Sequence, residues 1–272
     1  MNLTANLARW DARRDRLLLG SCILGVGALA WAYLVHLQRT MMPSPVMAMA
    51  EMGGMSMVMD APWHATDVVF TFTMWLVMIV GMMTPAATPM LLLFATTQRR
   101  RAHARAHASQ GGTRWAVLLF GAGYASAWLG FSAVATLAQW ALHNAALLSA
   151  SMAVASPRVA GALLIAAGVY QLTPAKRVCL EHCQSPLGFL MSHWRDGPAG
   201  TYQMGLRHGL YCLGCCWALM AVLFAVGVMN LAWVGALTIF ILLERLGRHG
   251  ALAARLGGVL MVALGVLRFH AA

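Results

Sequence analysis

The chain has 272 residues, is 60% hydrophobic and 10% charged, and carries a formal net charge of +11. A soluble domain has roughly 25% charged residues, so this composition excludes an ordinary soluble fold and predicts an all-α, polytopic transmembrane helix bundle. The basic residues sit in short segments between apolar runs, which excludes a nucleic-acid-binding stripe, and six cysteines in so long a chain do not make a disulfide scaffold.

Seven apolar helices are predicted, over 17–37, 66–97, 114–141, 157–173, 203–228, 230–246 and 251–268, within a single membrane domain spanning 1–272. The first run is longer than the 7–15 residues of a signal-peptide core, so it reads as a retained span, although Ala48-Met49-Ala50 forms an A-x-A pattern beyond it. The second holds Pro85 and Pro89, whose missing backbone donors free carbonyls that neighbouring helices must satisfy. The segments between runs alternate in charge. One set and its flanks hold 16 Lys/Arg and the opposite set only Arg39, Arg158 and Arg268. The positive-inside rule then places the N-terminus in the cytoplasm and the C-terminus outside.

Between the first two runs, in an outward loop over 38–65, eight of the nineteen residues 41–59 are methionine. Met47, Met49, Met52, Met55, Met57 and Met59 read as a capture segment, with His64 beside it. Thioethers are soft neutral ligands suited to Cu(I) and poor for hard cations. Methionine as an adaptable apolar filler is the alternative reading.

The second run carries Asp67, Met74, Met78 and Met82 on one helical face, followed by Met83 and Met90 within "MMTPAATPM". This stripe predicts a continuation of the methionine segment into the bilayer; methionine core packing is the alternative. In the connection 174–202, read as a cytoplasmic loop, "CLEHC" places Cys179, His182 and Cys183 on one side of a helical turn. Thiolates hold Cu(I) more tightly than thioethers do, and a pair of inert reduced thiols is the alternative. On the fifth run Met204, His208, Cys212 and Cys215 fall within about a quarter of the helix circumference, with Cys216 at the edge. That ladder suits Cu(I), with zinc as a second candidate. Glu244 is the acid in the sixth run, and intramembrane acids default to function. Glu244 and Asp67 are therefore the candidate coupling acids, with pairing of Glu244 to Arg245 or Arg248 as the structural alternative.

The stretch 172–234, which contains "CLGCCW" and "GVMN", together with "MMTPAATPML" (82–91) and "LLER" (242–245), resembles a bacterial family of uncharacterised, predicted metal-binding integral membrane proteins. The resemblance implies a membrane location and a metal site at Cys212, Cys215, Cys216 and the CLEHC cysteines. The chain departs from the family pattern at Ala86 and Arg245, where serine and lysine are usual.

The leading expectation is Cu(I) handling, as uptake, conduction or delivery, by exchange among Met, Cys and His ligands. The partners expected are the lipid bilayer and a metallochaperone or membrane subunit, and no nucleic acid. No ATPase or P-loop motif and no substrate-binding constellation is visible in the sequence. The competing classes are a membrane thiol–disulfide oxidoreductase, a metal-dependent membrane oxygenase or its assembly subunit, and a purely structural subunit.

Overall fold

A computed structural model describes residues 3–41, 63–104, 110–145, 153–247 and 249–270. Every regular element among them is an α-helix: α1 (Leu3–Met41), α2 (Ala65–Ala104), α3 (Gln110–Asn144), α4 (Pro157–Leu172), α5 (Pro174–Gln184), α6 (Pro186–His193), α7 (Gly197–Val226), α8 (Leu231–Leu246) and α9 (Gly250–His270). Five stretches are long and apolar enough to cross a membrane: Leu17–Thr40, Ala65–Arg101, Gly112–Asn144, Gly197–Val226 and Gly250–His270. The 16-residue α4 and α8 are each about 24 Å long, short of a 30 Å hydrocarbon core.

The connection 174–202 is itself largely helical. Thr173 caps α5, accepting from the Lys176 backbone N–H, and Pro174 occupies the first turn. Ser185 and Pro186 begin α6 with the same proline placement, though the Ser185 hydroxyl makes no capping hydrogen bond. A hydroxyl residue followed by proline is a helix-start signal that the high polarity of this segment conceals. The turn from α7 to α8 uses "GVMN". Gly227, at φ +99°, closes α7 with its N–H on Leu223 O, and the Asn230 side chain accepts from the N–H groups of Ala232 and Trp233.

Helix α7 is the central element, packed by α3, α4 and α5. Its crossing with α3 is close: a Cβ at Gly205 would run into the Phe120 carbonyl. Small residues permit such backbone contact in helical bundles, where packing supplies the association energy. The prolines of α2 lie within a continuous helix. Pro85 frees the Gly81 carbonyl four residues earlier, and the Trp31 indole of α1 donates to it at 3.2 Å. Large apolar side chains such as Leu118, Val134, Leu137, Leu256 and Leu267 face outward, while the interior holds polar groups.

Candidate metal centre

The α7 ladder is buried throughout: Met204, His208, Cys212, Cys215 and Cys216 lie in the interior. The 3.6-residue periodicity sets Met204, His208 and Cys212 one turn apart along the axis, with Cys215 and Cys216 one turn beyond Cys212. Met204 accepts the Arg195 backbone N–H at 2.9 Å through its sulfur. His208 sits among Phe120, Tyr124 and Phe189, and its Nδ1 has no hydrogen-bond partner. The Cys212 sulfur meets the Tyr124 hydroxyl at 3.0 Å. The thiols of Cys215 and Cys216 both reach the Cys212 carbonyl.

The convergence occurs between helices. Cys183 of α5 and Cys215 of α7 bring their sulfurs to 3.9 Å. Arg245 Nη2, from α8, donates to both, at 3.1 Å to Cys183 and 3.3 Å to Cys215. With metal–sulfur bonds of roughly 2.3 Å, a 3.9 Å separation spans an S–metal–S angle of about 116°. Opening to a linear arrangement needs only about 0.7 Å of further separation. The remaining CLEHC residues go elsewhere. Cys179 lies against Gly214, where an added Cβ would stand 2.7 Å from its sulfur. His182 bonds through Nδ1 to Val178 O and stacks on Tyr211. Burial pushes the Cys179 thiol up, and the sulfur contact with Cys215 together with burial pushes Cys183 well up.

Met74, Met78, Met82 and Met83 pack in the same buried cluster as the three α7 cysteines, whereas Met90 and Met204 share a second cluster with Phe94, Phe120 and Phe189. The capture residues Met47, Met49, Met52, Met55, Met57 and Met59 lie outside the described residues. His64 is exposed at the start of α2, and Asp67 is exposed there too, its carboxylate accepting the His64 backbone N–H at 2.8 Å. Asp67 thus caps a helix start. Among the described residues no group of three or more His, Cys, Asp or Glu side chains is arranged to hold a metal ion.

Glu244 is buried and pairs with Lys176, whose Nζ donates to its two oxygens at 2.9 and 2.8 Å, while Gln171 donates at 3.0 Å. Of the two pairings offered as the structural alternative, Arg245 is not the partner and Arg248 lies outside the described residues. Successive residues on a helix diverge by about 100°, so Glu244 faces α5 at Lys176 while Arg245 faces the sulfurs. Lys176, Arg245, Gln171 and Tyr124 are parts of the site that sequence reasoning misses. One signal points to the first of them: Lys176 is the sole lysine of the chain.

Buried thiols thus meet across helices, under a guanidinium and beside a thioether-rich core. The chain belongs to the family described as PpoB2: Copper chaperone, whose model matches residues 72–268. The matched region runs from within α2 to the last turn of α9 with the whole cysteine cluster, and α1 and the methionine-rich segment precede it. No curated protein and no solved structure matches the chain.

Proposed function

We propose that this chain is an integral membrane Cu(I) carrier that holds the ion between Cys183 and Cys215 and hands it on by ligand exchange. The observation that carries the reading is the 3.9 Å approach of these two sulfurs beneath one guanidinium. A soft monovalent ion is satisfied by two thiolates, and such ligands select Cu(I). Membership of a copper chaperone family supports copper as the cargo, ahead of zinc and ahead of the oxidoreductase and oxygenase readings.

In this reading, Met47, Met49, Met52, Met55, Met57, Met59 and His64 collect Cu(I) on the outer side. Met74, Met78, Met82, Met83 and Met90 offer weaker thioether stations inside the bundle, with Met204 and His208 as further stations on α7. Cys212 and Cys216 flank the central pair, and Cys179 with His182 stands toward the cytoplasmic delivery side. The proposed topology has seven spans, counting α4 and α8 as short ones, with the CLEHC helix on the cytoplasmic face of a bacterial inner membrane. Thioether outside and thiolate inside then give an affinity gradient toward a soluble or membrane-bound acceptor.

The test is anaerobic Cu(I) titration of the purified full-length protein in detergent. Wild type is compared with a Cys183→Ser/Cys215→Ser variant and with the Cys212→Ser/Cys215→Ser/Cys216→Ser variant. The expected result is loss of about one equivalent of tightly held copper in both, since both remove thiolate ligands. Copper-replete Cys183→Ser/Cys215→Ser protein overturns the reading.

A further inference from the structure

The charge pattern around the two sulfurs contains one cation without a carboxylate. Arg245 is 6% exposed, and no carboxylate among the described residues pairs with it. The adjacent Glu244 is taken by Lys176, so that pair is neutral as a unit. The Arg245 hydrogen bonds instead go to Cys183 and Cys215, and its Nε has no partner. A guanidinium stays protonated in proteins. An uncompensated buried cation is costly, and the acceptors that meet this one are the two sulfurs.

We propose that Arg245 sets the charge of the ion the site accepts, making it selective for monovalent over divalent soft metals. The proposal rests on Cys183 and Cys215 being the ligands. Two thiolates around Cu(I) carry a net charge of −1, and Arg245 brings the assembly to zero. Two thiolates around Zn(II) are already neutral, and Arg245 then leaves a net positive charge in a low-dielectric interior, where charge–charge energies are largest. The guanidinium also fits as an outer donor. It bridges both sulfurs from one nitrogen and so orients both side chains. The ligand count acts in the same direction. A structural zinc site takes four ligands, and no third His, Cys, Asp or Glu joins this pair among the described residues.

The test measures affinities of the full-length protein in detergent for Cu(I) and Ag(I) as monovalent probes and Zn(II) and Cd(II) as divalent ones. The variants are Arg245→Gln and Arg245→Lys, with Cys183→Ser/Cys215→Ser alongside; Arg245→Met replaces the glutamine variant where that one does not fold. Arg245→Gln is expected to lower the monovalent-over-divalent preference by about 10- to 100-fold, the range that one charge-assisted hydrogen-bonding group spans. Arg245→Lys keeps the charge and is expected to recover most of the preference. A merely structural role would weaken all four ions alike. If Arg245→Gln keeps the wild-type preference while Cys183→Ser/Cys215→Ser has lost its metal, the charge argument is overturned and the two-cysteine site stands. The charge argument is equally overturned if Arg245→Lys loses as much preference as Arg245→Gln. If Cys183→Ser/Cys215→Ser still binds copper, the site assignment falls and takes the charge argument with it.

Discussion

Replacing Lys176 with methionine isolates the buried ion pair that sets the register of α8 against α5. Lys176 and Glu244 are 1% and 2% exposed and 2.8 Å apart. Methionine fills most of the lysine stem but leaves Glu244 buried without its cation. The Gln171 bond at 3.0 Å and the Gln184 bond to the Glu244 carbonyl at 2.6 Å remain, yet neither supplies charge. Breaking a buried pair on one side costs about 3–5 kcal/mol. At roughly 2–4 °C per kcal/mol for a domain of this order of size, the melting temperature should fall by about 6–20 °C. Removing both charges in Lys176→Met/Glu244→Leu should restore most of the loss, because no unpaired charge is left. The exposed Arg177–Glu181 pair on the same helix is an internal control: Arg177→Ala should change stability by no more than about 0.5 kcal/mol. The assay is thermal unfolding in detergent followed by tryptophan fluorescence, with Cu(I) titration of the folded variants. Copper affinity should weaken in Lys176→Met, because Arg245 follows Glu244 directly on α8 and shifts with it. A Lys176→Met melt within about 2 °C of wild type, or a double variant no more stable than the single one, refutes this reasoning.

Mild oxidation should cross-link Cys183 to Cys215, since their sulfurs are 3.9 Å apart. Mass spectrometry of the digested protein would detect the link, and the cross-linked protein should no longer take up Cu(I); a dominant link between other cysteines would contradict the geometry. Cu(I) affinity should rise with pH across and beyond the ordinary thiol range. The raised Cys183 keeps a proton that must leave before the sulfur binds, giving about a tenfold gain per pH unit for each proton released. An affinity that does not vary between pH 6 and 9, tested with roughly that span to bracket free thiols, would count against this. Gly205→Val should be severely destabilising, by about 1–3 kcal/mol or more, because its side chain meets the Phe120 backbone of α3; a wild-type melt would contradict the close crossing. Trp31→Phe removes the donor to the Gly81 carbonyl and should cost about 1–3 kcal/mol, read as earlier proteolysis of α1 from the bundle.

The sequence alone carries the elements whose causes are local. Apolar runs of bilayer length, Pro85 and Pro89, and the 3.6-residue repeat of Met204, His208 and Cys212 are legible because each depends on neighbours a few positions away. The helices at 174–193 are equally local, announced by Thr173-Pro174 and Ser185-Pro186, but the polarity of the segment outweighs its caps and gives it the look of a loop. The α7 residues read as a ladder are all buried, as their shared face suggests, but the partners of Cys212 and Cys215 lie on other helices. Only tertiary structure decides that Cys215 meets Cys183 from 32 residues earlier, that Lys176 finds Glu244 68 residues on, and that Arg245 turns from the carboxylate beside it toward sulfur. A helix sequence specifies which residues share a face; which partner that face meets depends on how α5, α7 and α8 pack, and no pattern within one helix encodes it.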